Sequence, residues 1–266
     1  MKTERIVLLG AGNLGIHLGK ALYSKGFELS QVFSRTLSNA VELASKVDAV
    51  PIDDIRSLDP ISSVIVVALN DDAVPEILEN IYLREQLVLH TSGSISIDIL
   101  KSKTNSCGVI YPLQTFSKFR DVNFSEIPLL IEANTKDDLN RILKISRSLS
   151  TKVHLADSEQ RAKVHISAVF ACNFVNHFYA IAQQIIKETP GFEFEILKPL
   201  ILETAKKAIE SGDPYKSQSG PALRGNKQIV SSHLEMLQGN PDLQNLYTFA
   251  TNSIYKLYNS QNLIEE

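Results

Sequence analysis

Along the first part of the chain, short apolar runs alternate with segments whose apolar residues recur every three or four positions. RIVLLG (5–10) stops at a glycine and has the length and β-branched content of a strand buried on both faces. Residues 13–25 then place Leu14, Leu18, Ala21 and Leu22 on one helical face, and Gly26 suits the position just past a helix end. LSQVFS (29–34), SSVIVVAL (62–69), QLVLHTSG (86–93), CGVIYP (107–112) and IPLLIEA (127–133) continue the strand series, with a short strand at 152–156. Helical spacing is found at 38–46, 73–80 and 135–149. Strands alternating with helices predict an α/β fold, a doubly wound and mostly parallel Rossmann sheet.

The pattern changes at Asp157. From there to Glu188 the chain has no glycine or proline and is rich in apolar residues, which predicts a helix of roughly 30 residues, about 45 Å long. Asp157 with Gln160 three later forms a capping-box signature at its start. Helical patterns return at 196–211, 226–238 and 241–259, the last with Pro241 in its first turn. The expected organisation is a Rossmann domain over 1–156 and an all-helical domain over 157–266.

Composition narrows the classes. The hydrophobic fraction of 44% supports a buried core, and a net charge of −3 gives no general attraction for polyanions, so nucleic acid and anionic membranes are not expected partners. No unbroken apolar run approaches the roughly 18 residues of a spanning segment. With two cysteines and no His, Asp or Glu cluster at ligand spacing, neither a disulfide framework nor a metal site is expected. A cytoplasmic protein is the expectation.

The first helix opens on chemistry. GAGNLG supplies Gly10, Gly12 and Gly15 in G-x-G-x-x-G spacing, directly after a strand and at the start of a helix. Gly10 permits the tight turn, Gly12 the approach of a pyrophosphate and Gly15 close helix packing, with Asn13 and Leu14 between them at the helix N-terminus. An NAD site wants a carboxylate about 20 residues on. Here, 19 residues past Gly15, the second strand ends in Ser34-Arg35-Thr36, and the nearby acid Glu28 lies at the strand's other end. Two hydroxyls flanking an arginine suit the 2′-phosphate of NADP. Strand ends further along supply Asn70, Thr91, Ser92, Tyr111 and Gln114 to the crevice where ligands of such sheets bind.

RAKVHISAVFACNFVNH (161–177) adds His165, Asn173, Asn176 and His177 to the long helix. At 100° per residue His165, Cys172 and Asn176 fall close to one face. His165, two turns into the helix, is a candidate proton donor or polariser, with Asn173 as a substrate orienter. Cys172 reads as a small buried packing residue.

GAGNLG, SRT, HTSGS, YPLQTF, HISAVFACNF and GPALRGN together resemble the DUF2520 family, Rossmann-like NADP oxidoreductases with an all-helical C-terminal domain. More distantly the chain is similar to pyrroline-5-carboxylate reductase and the 6-phosphogluconate dehydrogenase-like superfamily. The family often has histidine where this chain has Tyr111 and aspartate where it has Asn226. A catalytic lysine four residues before an asparagine, found in β-hydroxyacid dehydrogenase relatives, is absent, because Lys163 is followed four later by Ser167. The resemblance implies NADP on the first domain, and a helical domain that closes an interdomain substrate cleft and forms a homodimer. The expected activity is hydride transfer to a small imine or carbonyl substrate; the alternative is a non-catalytic NADP-binding regulatory or scaffolding protein.

SGPALRGN (219–226) interrupts the helices with two glycines, a proline and an arginine. Gly220 and Gly225 permit unusual backbone angles, Asn226 suits a helix cap, and Arg224 is a candidate contact for an anionic substrate group.

Overall fold

A computed structural model describes residues 4–259, and the chain forms two compact units, Met1–Phe178 and Tyr179–Glu266.

The first unit is built on an eight-stranded sheet. In chain order the strands are β1 (Arg5–Leu9), β2 (Glu28–Phe33), β3 (Val50–Ile52), β4 (Val64–Val67), β5 (Leu87–His90), β6 (Cys107–Pro112), β7 (Leu129–Ala133) and β8 (Val153–Leu155). Their spatial order is β3-β2-β1-β4-β5-β6-β7-β8. Every neighbouring pair is parallel except β6 and β7, which run antiparallel with Ile110 opposite Ile131. The reason is local: β6 and β7 are joined by a loop and a single 3-10 turn, Phe124–Glu126, without the crossover helix a parallel pair uses.

The helices of this unit are α1 (Asn13–Ser24), α2 (Leu37–Val47), α3 (Val74–Asn80), α4 (Asp98–Lys101), α5 (Lys136–Leu149) and α6 (Ser158–Ala168). Alternation along the strands feeds two cores. Ile6 and Leu8 of β1, with Val64, Val66, Leu87 and Leu89, pack on one face with α1, α2 and α5. Val7 and Leu9, with Ile65, Val67 and Val88, pack on the other with α3 and α4. A sheet covered on both faces needs apolar residues at consecutive positions, which is why its strands read as continuous apolar runs. The elements missing from the sequence reading are β3 and α4, which hold three and four residues, too few to show a period.

The long helix begins as predicted, with both reciprocal bonds of the Asp157–Gln160 capping box in place. It is not uniformly α-helical. After α6, residues Val169–Phe174 wind as a π-helix before α7 (Val175–Lys187) resumes. The wider winding changes the angular position of everything beyond Val169, so spacing at 100° per residue does not carry from His165 to Cys172 and Asn176. Cys172 is exposed, not a packed interior residue. By length and composition alone the run Ser158–Lys187 is apolar enough to cross a membrane, which a count of unbroken apolar residues does not reveal. Its first turn is nonetheless held in the sheet unit by a fully buried arginine, Arg161, paired with Glu132 of β7.

The second unit is helical: the rest of α7, then α8 (Lys198–Glu210), α9 (Lys227–Met236) and α10 (Pro241–Asn259). None of its described residues is buried. The 219–226 segment forms turns between α8 and α9, and Gly220 and Gly225 hold φ of 106° and 62°. The Asn226 side chain caps α9 by accepting from the Ile229 N–H at 3.1 Å.

Candidate nucleotide site

β1 and β4 are neighbours, and the chain leaves β1 toward β2 on one side and later returns to β4 on the other. This is the switch point at which doubly wound sheets open a crevice beyond their strand ends. The structure has a cavity of about 480 Å³ there, wholly within the first unit. Its walls are Gly12, Asn13 and Leu14 from the β1–α1 turn, residues 68–71 beyond β4, and residues 91–94 beyond β5. Phe116 and His165 complete it.

The three fingerprint glycines have different causes. Gly10 has φ of 121°, and a Cβ there would lie 2.1 Å from the Ala68 carbonyl oxygen. A Cβ on Gly15 would lie 2.1 Å from the Gly10 oxygen, so that residue lets α1 start against β1. Gly12 differs: a Cβ there meets nothing within 4 Å. Protein packing does not demand glycine at 12, and the space is open to a ligand. The α1 N-terminus beside it has no side-chain cap and no acidic residue in its first turn. Unsatisfied N–H groups facing that space suit a pyrophosphate.

At the end of β2, the Ser34 hydroxyl accepts from the Thr36 N–H at 3.3 Å, folding the turn. Arg35 is exposed and has no carboxylate partner among the described residues. A free guanidinium at this strand end fits a 2′-phosphate, and no acid stands by to receive a ribose diol.

The cavity's other side is built from the loops beyond β5 and β6. The β6–β7 loop is tied to α1 where His17 Nε2 bonds the Ser117 carbonyl at 2.9 Å, and the His17 ring lies 5.5 Å from that of Phe116. This contact sets Phe116 in the wall. Ser92 accepts from the N–H groups of Ser94 and Ile95, closing the turn beyond β5, and the Ser94 hydroxyl donates to the Asp71 carboxylate. Asp71 is the only carboxylate among the described residues lining the cavity.

His165 enters from α6. Its Nδ1 is 3.0 Å from the Tyr111 hydroxyl, and the two rings meet edge to face at 5.9 Å. Both press on the backbone at Gly93: a Cβ there would be 2.7 Å from His165 Nδ1 and 2.8 Å from Tyr111 Cζ. Burial, reinforced by the Asp71 carboxylate and Cys172, pushes the Tyr111 phenol above its usual range and keeps it protonated.

One turn before His165, Arg161 is fully buried and donates to Glu132, to the Ile95 carbonyl at 2.6 Å and to Ser158 at 3.2 Å. These bonds fix α6 on the sheet and so fix His165. Beneath, His90 is fully buried with an unpartnered Nε2, and burial, with Arg161 adding to it, lowers its pKa to about 3.

Of the residues expected from sequence, Gly12, Asn13, Leu14, Asn70, Ser92 and His165 line one cavity, with Gly10 and Gly15 shaping it and Tyr111 behind His165. Gln114 lines a separate cavity with Arg120 and Lys152, and its Oε1 accepts from the Thr115 N–H at 2.8 Å. Asn173 is exposed on the π-helical segment, and Arg224 is exposed in the second unit. Gly93, Arg161, Phe116 and Asp71 are not among the expected site residues; Gly93 lies in HTSGS, where it reads equally as a turn, and Phe116 ends YPLQTF.

A dinucleotide-binding α/β protein with a helical C-terminal unit is thus the class this sheet, fingerprint and cavity define. Comparison with known proteins places it more narrowly. The model for the domain of unknown function DUF2520 matches residues 127–254, and that for shikimate/quinate 5-dehydrogenase matches 1–99. The crystal structure of the putative NADP oxidoreductase BF3122 from Bacteroides fragilis is 42% identical, covering 96% of this chain and 98% of its own, with a TM-score of 0.88. The chain belongs to this DUF2520 family. The imine reductase of Myxococcus stipitatus in complex with NADP+ shares the fold at 15% identity, with 96% and 93% coverage and a TM-score of 0.65. A pyrroline-5-carboxylate reductase from Coxiella burnetii does so at 16% identity, with 97% and 98% coverage and a TM-score of 0.55. No curated protein matches the chain.

Proposed function

We propose that the protein is a soluble NADP-dependent oxidoreductase that reduces a small imine or carbonyl substrate. The observation that carries this reading is the cavity at the switch point, in which an uncapped helix N-terminus and open space at Gly12 stand opposite a histidine. Gly10, Gly12, Asn13, Leu14 and Gly15 hold the pyrophosphate, Ser34, Arg35 and Thr36 the 2′-phosphate, and Asn70 and Ser92 the remainder of the cofactor. NADPH, when bound, supplies the hydride. His165 donates a hydrogen bond to the substrate nitrogen or oxygen, which gains electron density as the carbon takes the hydride; an iminium substrate brings the proton its amine product needs, and a carbonyl takes it from solvent. Similarity to oxidoreductases named for NADP supports the same cofactor.

The protein works as a homodimer through its helical unit. Its apolar side chains are exposed on a scale that a monomer rarely tolerates, with Ile209, Met236 and Phe249 each more than 70% accessible. Arg224, with no ion-pair partner among the described residues, remains a candidate for an anionic group of the substrate.

The test is an NADPH-consumption screen over imines, keto acids and aldehydes, with His165→Ala and Arg35→Ala beside the parent. Turnover in the parent, reduced at least tenfold in His165→Ala, supports the reading. Loss of one charge-assisted contact, about 1.5–3 kcal/mol, predicts tenfold or greater weakening of NADPH in Arg35→Ala with NADH unaffected. Cofactor binding without turnover of any substrate would favour a regulatory protein instead.

A further inference from the structure

Resting on that reading of His165, we propose that Tyr111 is its positioning residue. By donating to Nδ1 it holds the imidazole as the neutral Nε2–H tautomer, so that the histidine presents a donor to the cavity. Gly93 is glycine because this ring pair leaves no room for a side chain.

Three observations carry this. First, the Tyr111 hydroxyl has one partner among the described residues, His165 Nδ1 at 3.0 Å. Were Nδ1 the donor, the half-buried phenol would keep its proton with no acceptor among the described residues, an unsatisfied donor that folding disfavours. With the phenol donating, both groups are satisfied, and imidazole nitrogen is the stronger acceptor of the two. Second, His165 lines the cavity, and Nε2 makes no hydrogen bond among the described residues, so the nitrogen left over is the one free for a ligand. Third, Gly93 has no left-handed backbone to explain it, yet a Cβ would press on His165 Nδ1 and Tyr111 Cζ together. The glycine is required by the pair itself.

The alternative tautomer would turn a lone pair toward the substrate and make His165 an acceptor, which suits oxidation of an alcohol or amine. A donor facing the cavity instead serves a substrate heteroatom that gains electron density, while the net direction is set by concentrations because one site catalyses both.

The experiment is side-chain 15N NMR of the full-length protein at pH 8.5, with the His165 signals identified by their loss in His165→Gln. The parent is expected to show one tautomer, protonated at Nε2, with Nδ1 as a hydrogen-bonded acceptor. Tyr111→Phe and Gly93→Ala should each lose that Nδ1 bond and give averaged tautomers. A parent protonated at Nδ1, or a Tyr111→Phe protein with the parent's His165 signals, overturns the proposal. Because the readout needs no substrate, it stands or falls separately from turnover. If turnover is found, Tyr111→Phe should lower kcat about tenfold with NADPH affinity within twofold of the parent. Loss of NADPH affinity in step with kcat would make Tyr111 a structural residue and also overturn the assignment.

Discussion

The two units spend similar apolar sequence in different ways. In the sheet unit Ile6, Leu8, Leu87 and Leu129 are fully buried, and the sheet carries a core on each face. In the helical unit no described residue is buried, and Leu200, Leu202, Ile209 and Phe249 stand open. Exposed apolar area on this scale is what the homodimer proposed above would cover. The contrast is that the cavity is walled within the sheet unit alone, whereas the helical unit leaves its apolar side chains open, so the two can be perturbed independently.

The largest expected effect is in the sheet unit. Arg161→Ala leaves Glu132 partly buried without its partner and should cost about 3–5 kcal/mol, read as a lower denaturant midpoint. Activity lost in this variant reflects the anchoring of α6, one turn from His165. In the helical unit, Leu200→Asp combined with Phe249→Asp should convert a dimer to a monomer in light scattering. On a monomer such surface changes would alter stability by only about 0.5 kcal/mol. A parent already monomeric at micromolar concentration would break the comparison.

The next effect is pH dependence. His90 titrates near 3 in the fold and near its ordinary value, about 6.5, in the unfolded chain. The unfolded chain therefore binds the extra proton first as pH falls, so the stability that neutral His90 contributes is complete above 6.5 and is lost below it. Between pH 6.5 and 5, stability should fall with a slope approaching about 1.4 kcal/mol per pH unit, and His90→Asn should flatten it. The carboxylates lowered by their partners, Glu4 and Asp59, titrate below this window.

The smallest stability effect makes the sharpest test of the site. Gly15→Ala puts a Cβ against the Gly10 carbonyl and should destabilise the fold. Gly12→Ala meets only open space and should cost less than about 1 kcal/mol, an N-cap effect, while weakening NADPH at least tenfold. A pair of variants in which both lose stability equally would deny Gly12 its ligand.

Much of this was legible because its causes are local. The fingerprint, the capping box at Asp157 and the cap at Asn226 each lie within a few residues of their partners, and all formed as the spacing implied. Tyr111 and His165 are 54 residues apart, and nothing in either neighbourhood announces the other. Arg161 lies in the first turn of α6 and its partner Glu132 on β7 is 29 residues away, so no local spacing links the two. The π-helical winding at Val169–Phe174 has no signal in residue spacing, since the same apolar positions fit an α-helix. Helical periodicity likewise gave the helices of the second unit without saying what covers them.

Calorimetric titration of the full-length protein with NADPH and with NADH tests the central claim most directly. The account predicts one site per chain, with NADPH bound at least tenfold more tightly than NADH and the preference abolished in Arg35→Ala. Equal affinity for the two cofactors, or no binding of either, would contradict it.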